Sequence, residues 1–312
     1  MLVDNAVTIV QRLFGDISLS LFASDYLHRL PLALPGTSKH VAALGSWESL
    51  SGMLSQADLD LMVVREGTRR EANPPSDMAG LGELTSGGWT TLVRHSERHD
   101  VRIAELAQAF EGVFRSPVDV HLYLTPPGRF GFSWHYDAED VFILQTAGEK
   151  EYFLRKNTVH PWPLEETLPL DMQYERELMP LSRVRLQAGD MLYIPCGYWH
   201  RAEAGGSEAA ISLAIGVMSR SGLDVFEYLR GQLVQSLAWR QRLAIGWESD
   251  VDERYQALMT TLADDFSRTL KSQVVIKAVR EHFACLPAGN AGDGRGIAGE
   301  ASLMGSERRH DV

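Results

Sequence analysis

The chain has 312 residues, a formal net charge of −11 and two cysteines, and 45% of its residues are hydrophobic. This length and composition predict a globular protein with one large domain and an appendage, or with two modest domains. The negative charge argues against strong binding to nucleic acid or anionic lipid by bulk electrostatics. Because two cysteines argue against a disulfide framework, we expect a reducing, cytoplasmic compartment.

The first residues of the chain do not have the pattern of a signal peptide. Polar residues interrupt the apolar ones at Asp4, Asn5, Gln11 and Arg12. A signal peptide needs a continuous apolar run followed by a small-residue cleavage site. No stretch elsewhere reaches the length of a membrane span. We therefore expect no targeting segment and no direct binding to a membrane.

The predicted elements follow the order helices, strands, helices. Apolar residues recur at helical spacing from Val101 to Phe114, which predicts an amphipathic helix. Short β-rich runs, separated by Pro, Gly and Asp, follow at 118–124, 140–145, 151–155, 184–187, 191–195 and 209–217. Short strands without long helices between them favour an antiparallel sandwich or barrel.

From Leu223 onward the pattern is helical again. Four apolar residues recur at four-residue steps, namely Val225, Leu229, Leu233 and Leu237. Such a stripe packs either on the rest of the chain or on a second subunit. The biased segment from about Ala288 is rich in Gly, Ala and charged residues, and we expect it to be disordered.

A candidate metal site lies in the predicted strand region, where His135 and Asp137 flank Tyr136. Two residues is the period of a strand, so both ligand side chains project from one face. His200 follows 63 residues after Asp137, at the end of another predicted strand and its turn. Two imidazoles and one carboxylate suit Fe(II) and leave coordination positions open. The tripeptide alone is a weak motif, and a chance turn is the alternative.

Lys150 provides a second signal. If Ala147 and Gly148 form a two-residue hairpin turn, Gln145 pairs with Lys150, and Lys150 then falls on the same face as the metal ligands. A buried ammonium without a partner is costly, which indicates an anionic ligand such as a dicarboxylate. The alternative is an exposed hairpin lysine beside two glutamates.

Two segments resemble a known family. LYLTPPGRFGFSWHYDAEDVFILQTAGEKEYFL, which starts at Leu122, and LQAGDMLYIPCGYWHRAEA, which starts at Leu186, are similar to the JmjC and cupin-like oxygenases. The similarity is greatest to the ribosomal-protein hydroxylase branch and spans about residues 88–220. It implies an α+β fold with a mainly β core, a double-stranded β-helix of the cupin or jelly-roll type. N-terminal helices and a C-terminal helical region would flank this core.

The resemblance also implies roles for individual residues. His135, Asp137 and His200 would bind Fe(II), and Lys150, thirteen residues after Asp137, would bind the distal carboxylate of 2-oxoglutarate. Tyr123 would line the same pocket. Relatives often carry Asn two residues before this tyrosine, whereas this chain has His121.

Ser212, on the strand after His200, is a further candidate contact of the co-substrate. Three other histidines, His95, His99 and His160, lack ligand spacing to a third group, and we expect them at the surface.

We therefore expect a catalytic domain at 1–220, a helical region at 221–286 that is a candidate for dimerisation, and a tail at 287–312. The expected function is hydroxylation of an amino-acid side chain in a protein or peptide, with O2 and 2-oxoglutarate consumed and succinate and CO2 formed. A homodimer is expected from the family.

Three alternatives remain at this point. The first is a hydroxylase of a free amino acid or another small metabolite. The second is a non-catalytic cupin-like binding module. The third is a cupin that uses another metal without 2-oxoglutarate. Histone demethylation rests on analogy of fold alone.

Overall fold

The computed structural model describes residues 2–56, 58–70, 75, 77–244, 246 and 249–285. The tail predicted for 287–312 lies outside the described residues. Eight α-helices and eleven β-strands lie in the described ranges. The helices are α1 (Leu2–Phe14), α2 (Leu19–Asp25), α3 (Trp47–Leu54), α4 (Met78–Ser86), α5 (Val101–Phe114), α6 (Gly222–Leu233), α7 (Val251–Lys271) and α8 (Gln273–Cys285). The strands are β1 (Leu32–Leu34), β2 (Leu61–Arg65), β3 (Thr68–Arg70), β4 (Thr90–Val93), β5 (Val118–Thr125), β6 (Asp140–Ala147), β7 (Glu149–Arg155), β8 (Ser182–Gln187), β9 (Met191–Ile194), β10 (Trp199–Ala204) and β11 (Ala210–Val217).

The strands form two antiparallel sheets. The larger has eight strands in the order β1-β9-β6-β11-β5-β4-β2-β3, and the smaller has three in the order β10-β7-β8. Both the predicted fold class, α+β with a mainly β double-stranded β-helix core, and the predicted helix at Val101–Phe114 are confirmed.

Alternation along β6 explains how the larger sheet packs on both sides. Phe142 and Leu144 are fully buried in the main core with residues of α1, α2 and α5. Val141 and Ile143 point the other way and pack with Tyr152 of the smaller sheet. Successive side chains of a strand leave opposite faces, so one strand contributes to both layers. The space between the two sheets is where the functional side chains lie.

The hairpin predicted around Ala147 and Gly148 is wrong. β6 pairs with β9 and β11, whereas β7 pairs with β8 and β10 in the other sheet. Gly148 has a φ of +63°, and a Cβ at this position would overlap the backbone of Ala209 and Ala210. The chain therefore bends at a glycine and crosses from one sheet to the other instead of folding back on itself.

The chain divides into two compact units at Ser219 and Arg220. The second unit contains α6, α7 and α8, and the Trp239 indole N–H donates to Asp265 across 3.0 Å within it. In the predicted stripe Leu229 and Leu233 are buried, whereas Leu237 lies beyond the end of the helix. Leu237 is 78% exposed because α6 ends at Leu233.

None of the described helices has, by itself, the length and apolar content of a membrane span. Asn5–Phe14 and Leu19–Asp25, bent by 64°, meet that test only when they are taken as a pair.

Candidate active site

The two predicted histidine ligands lie side by side on neighbouring segments. His135 and His200 form an isolated antiparallel bridge, in which each backbone N–H donates to the other carbonyl, at 3.2 and 2.8 Å. Their ring centroids are 4.2 Å apart. Tyr136 points to the opposite face and packs edge-on against Trp199 at 4.6 Å. Strand-like alternation therefore turns the imidazoles, and not the aromatic rings, toward the space between the sheets.

Asp137 completes the cluster. One ligand atom each from His135, Asp137 and His200 lie within 4.8 Å of one another, and Nε2 of His200 is 3.4 Å from Oδ2 of Asp137. The Asp137 carbonyl accepts a hydrogen bond from the Gly197 N–H at 2.9 Å, which holds the turn before His200 in place. Oδ1 of Asp137 is buried and has no hydrogen-bond partner among the described residues. A buried acceptor without a donor is expensive unless a cation is bound there.

The protonation of the rings suits a metal site. Nδ1 of His135 lies 2.7 Å from the Ser133 carbonyl, and Nδ1 of His200 lies 2.9 Å from the Tyr198 carbonyl. A hydrogen on each Nδ1 leaves the lone pair on Nε2. Burial, and secondly the neighbouring His135, lower the pKa of His200 to about 4, so the ring is neutral near pH 7. The donor set therefore fits Fe(II), which binds well to neutral imidazoles and a carboxylate.

The structure brings Lys150 to the same cavity. Its side chain is 4% exposed, its Nζ donates to Oγ of Ser212 at 2.9 Å, and Nζ lies 5.2 Å from the centroid of the Tyr123 ring. No carboxylate of the described residues lies within 4.0 Å of the ammonium, and burial lowers the pKa of Lys150 to about 7. Lys150, Ser212 and Tyr123 thus form a pocket for an anion that the protein itself does not supply.

One cavity brings together all six predicted site residues. It lies between the two sheets and is lined by side chains from both, among them His135, Asp137, His200, Lys150, Tyr123 and Ser212. Sequence reasoning missed further lining residues, of which Tyr152, Glu139 and Gly216 are the most informative. Tyr152 follows Lys150 by two positions and Glu139 follows Asp137 by two, so alternation could have placed both of them on the inner face.

Glu139 is an acidic residue inside this cavity. It is 5% exposed, and burial, followed by the neighbouring Asp137, raises its pKa well above the usual range. Its oxygens do not belong to the cluster of His135, Asp137 and His200. Glu139 is therefore not a fourth ligand of that cluster.

A second polar cluster lies where the loop after β4 meets β5. Nδ1 of His95 lies 3.3 Å from Asp119 and 3.6 Å from Glu97, and a side-chain oxygen of Glu97 accepts from the Val120 N–H. These carboxylates raise the pKa of His95 to about 9. The expected surface position is therefore wrong for His95, whose side chain is 18% exposed. The geometry fits an ion-paired imidazolium that fastens this loop to the sheet.

His121, at the position where the resemblance to the family led us to expect asparagine, contacts this second cluster. It is 2% exposed, its Nδ1 accepts from the His95 N–H at 3.3 Å, and burial lowers its pKa. In the described part of the chain, His121 is not among the residues that line the cavity.

The fold and the site define a double-stranded β-helix protein with two histidines and one carboxylate arranged for a metal ion. Residues 91–225 match the JmjC domain. It is similar to ribosomal oxygenase 1 of Gallus gallus, with 25% identity over 71% of this chain and 39% of the relative. It is also similar to the bifunctional lysine-specific demethylase and histidyl-hydroxylase NO66 of Dictyostelium discoideum, with 35% identity over 37% of this chain and 22% of the relative.

Among solved structures, the chain resembles YcfD, a ribosomal oxygenase from Escherichia coli in complex with cobalt and 2-oxoglutarate. The TM-score is 0.59 at 18% identity, over 84% of this chain and 69% of that one. This likeness shows the fold. The chain spans about two fifths or less of the length of the two curated relatives named above.

Proposed function

We propose that this chain is an Fe(II)- and 2-oxoglutarate-dependent oxygenase that hydroxylates an amino-acid side chain in a protein or peptide. The observation that carries the proposal is one cavity that contains both the His135, Asp137 and His200 cluster and the buried, unpaired ammonium of Lys150. A metal-binding cupin without 2-oxoglutarate has no use for that lysine. A binding module that had lost turnover has no use for three intact ligands.

In this proposal His135, Asp137 and His200 would hold Fe(II), which with O2 and 2-oxoglutarate supplies the oxidising chemistry that yields succinate, CO2 and a hydroxylated C–H bond. The protein holds the two imidazoles through their Nδ1 hydrogen bonds and through the His135–His200 backbone bridge. Lys150 would bind the distal carboxylate of 2-oxoglutarate, with Ser212 orienting the ammonium. Apolar walls of the cavity exclude bulk water from the reacting groups.

The protein or peptide substrate is supported by the similar proteins. Their names include ribosomal oxygenase and histidyl-hydroxylase, and both terms denote enzymes that act on proteins. The substrate of this chain is part of the proposal, because the match covers only a portion of each relative.

The test is succinate formation from 2-oxoglutarate by protein that is loaded with Fe(II) under anaerobic conditions and then exposed to air. We expect slow turnover without substrate, its loss in His135→Ala, and a higher 2-oxoglutarate requirement in Lys150→Ala. The matched control is Lys156→Ala, which removes an exposed lysine just after the same strand. No turnover and no calorimetric binding of 2-oxoglutarate by the wild type would overturn the proposal.

We also propose that the protein is a cytoplasmic homodimer. Large apolar side chains are exposed on α6 and α8, including Leu223 at 57%, Phe226 at 44% and Val274 at 78%. Exposed apolar residues of this size are typical of protein interfaces. The two cysteines and the net charge of −11 support a reducing compartment without membrane or nucleic-acid binding by bulk charge.

A further inference from the structure

We propose that His95, Glu97 and Asp119 form a second metal site, which takes one divalent ion of the Zn(II) type. These three residues do not line the cavity between the sheets, and none of them belongs to the ligand cluster of the candidate active site. The proposal therefore stands apart from the proposed function.

The three side chains come from two segments that meet beside the larger sheet. His95 and Glu97 belong to the loop between β4 and α5, and Asp119 is the second residue of β5. One ligand atom from each lies within 4.8 Å of the other two. The side chains are 18%, 10% and 16% exposed, in that order. The cluster is thus sheltered from bulk solvent, with room at its rim for a water molecule.

Two ligand atoms of this cluster are buried without a hydrogen-bond partner among the described residues, namely Nδ1 of His95 and Oε1 of Glu97. The other carboxylate oxygen of Glu97 accepts from the Val120 N–H at 3.0 Å, which holds the side chain in place. Nε of Arg98 lies 3.8 Å from Oε1, which exceeds the length of a hydrogen bond. Buried polar atoms are rarely left unpaired, because this costs free energy. A cation bound between them would satisfy both atoms at once.

The separations in the cluster fit a metal ion better than direct hydrogen bonds. Nδ1 of His95 lies 3.3 Å from Oδ1 of Asp119 and 3.6 Å from Oε1 of Glu97. Charge-assisted N–H···O bonds are about 2.7–2.9 Å long. Ligands of a tetrahedral Zn(II) ion lie about 2.0–2.2 Å from the metal, which places them about 3.3–3.6 Å from one another. One ion can therefore lie between His95 and the two carboxylates, with water as its fourth ligand.

The surrounding charge favours a divalent ion. Burial, and then the charges of Glu97 and Asp119, raise the pKa of Glu111 on α5 to about 7, so a third carboxyl group lies near this cluster. In the metal-free chain a proton on His95 offsets part of the negative charge, which is the ion pair described above. A divalent ion in place of that proton brings one more positive charge and bonds to all three side chains.

The donor set indicates the class of ion and its role. One imidazole and two carboxylates are ligands that Zn(II) accepts, whereas Mg(II) and Ca(II) prefer six or more oxygen ligands. The ion would fasten the loop after β4 to β5, the strand that carries Tyr123 of the co-substrate pocket. We assign it a structural role, so its binding should raise the free energy of unfolding.

The test is calorimetric titration of the chelator-treated full chain with Zn(II). The chain carries His135→Ala and Asp137→Ala, which remove two ligands of the candidate active site and leave the second cluster intact. We expect this double variant to bind one Zn(II) ion. Adding either Glu97→Gln or Asp119→Asn should weaken the binding at least about a hundredfold, since loss of an outer-shell partner alone costs about ten- to a hundredfold.

Thermal melts of the same proteins measure the structural role. Excess Zn(II) should raise the melting temperature of the double variant, and it should have no such effect once Asp119→Asn is added. Glu97→Gln is a second, milder change, because its amide oxygen can still accept from the Val120 N–H. The control is Glu105→Gln, which neutralises an exposed carboxylate on α5 and should change neither measurement. A cooperative melt shows that each variant is folded.

A folded double variant that does not bind Zn(II), or binding that Glu97→Gln and Asp119→Asn leave unchanged, would overturn the proposal. If the double variant does not melt cooperatively, the wild type decides the question. Zn(II) uptake by the wild type that falls by one ion in Asp119→Asn supports the site, and uptake that stays the same rejects it. Binding without a higher melting temperature rejects the structural role.

Discussion

Lys150 and His95 are two basic side chains whose surroundings shift the pKa in opposite directions. Burial lowers the pKa of Lys150 to about 7, whereas Asp119 and Glu97 raise that of His95 to about 9. A pKa that differs between the folded and unfolded chain makes the free energy of unfolding depend on pH. The two residues therefore contribute opposite slopes over overlapping ranges of pH.

For Lys150, the unfolded chain binds the proton more tightly than the folded chain between pH 7 and 10.5. The free energy of unfolding should then rise with pH across this window, by a few kcal/mol in total. We expect Lys150→Met to be more stable than the wild type at pH 6, with a difference that narrows by pH 9.5. Urea unfolding at several pH values checks this. A less stable Lys150→Met protein at pH 6 would show that the ammonium already has a favourable partner.

The same substitution should weaken 2-oxoglutarate binding by about ten- to a hundredfold, since a hydrogen bond to a charged group contributes about 1.5–3 kcal/mol. Lys150→Arg keeps the charge and should recover part of the affinity. Calorimetry with Mn(II)-loaded protein measures both variants. Weaker binding together with higher stability of Lys150→Met would show that Lys150 favours 2-oxoglutarate binding and lowers the free energy of unfolding. Equal affinity of Lys150→Met and the wild type for 2-oxoglutarate would exclude the proposed role of Lys150.

For His95 the sign is reversed. Its pKa rises from 6.5 to about 9 on folding, so its contribution is fully present below pH 6.5 and is lost as the pH rises through 9. After allowance for solvent around a partly exposed ring, we expect a loss of about 1–2 kcal/mol. His95→Gln should remove this slope, while His99→Gln, four residues away in the same loop, should keep it. Thermal melts between pH 6 and 9.5 provide the comparison.

At the scale of elements, Asp140 connects segments that are distant in sequence. This fully buried carboxylate, at the start of β6, accepts hydrogen bonds from the Tyr193 hydroxyl at 2.5 Å and the Ser219 hydroxyl at 2.7 Å. Nδ1 of His28 lies 2.8 Å from it, and the Cys196 N–H donates to it at 3.3 Å. One side chain thus joins the loop after α2, the end of β11 and the turn that leads to His200.

We expect Asp140→Ala to destabilise the protein by about 3–5 kcal/mol, since it leaves several donors buried without an acceptor. It should also weaken Mn(II) binding, because the turn that carries His200 loses its attachment. Tyr193→Phe removes one of the same hydrogen bonds, so the double variant should lose less than the sum of the two single ones. Denaturant unfolding measures the cycle, and additive losses would mean that the two residues act independently.

The segment around Gly148 shows which features of the fold local sequence patterns predict and which they do not. Alternation placed Lys150 on an inner face, and its side chain does lie in the cavity, but the pairing of Gln145 with Lys150 used in that argument does not exist. Strand length and turn residues fix where strands begin and end. Whether a glycine turn folds a strand back or sends it to another sheet depends on contacts with Ala209 and Ala210, more than 60 residues away in sequence.

The residues that line the cavity were also predictable only in part, because local patterns do not reveal contacts between distant segments. Spacing within one segment brought His135 and Asp137 together, and the family pattern added His200 and Lys150. Alternation after Asp137 could have placed Glu139 on the inner face. No local pattern encodes Gly216, which lies against Glu139 because β11 contacts the residue before β6. His95 was missed likewise, since its two carboxylates belong to different elements.

At the scale of the whole molecule, the chain consists of a unit that ends at Ser219 and a helical unit that begins at Arg220. The predicted boundary between 220 and 221 falls beside this division, and the assignment of catalysis to the first unit and of pairing to the second stays a prediction. The chemistry-bearing residues named above all belong to the first unit. The second unit has large apolar side chains exposed on α6 and α8. Such a surface is more typical of a protein interface than of a ligand-binding site.

We expect the wild type to sediment as a dimer and the double variant Leu223→Glu with Val274→Glu to sediment as a monomer. Both side chains are more than half exposed, at 57% and 78%, so charge at these positions costs little within one chain but is costly when buried between two. The control is Gln273→Glu, which adds the same charge at an exposed position next to Val274. Sedimentation velocity over a range of concentrations decides between these outcomes. A monomeric wild type, or a double variant that still dimerises, would reject this face as the interface.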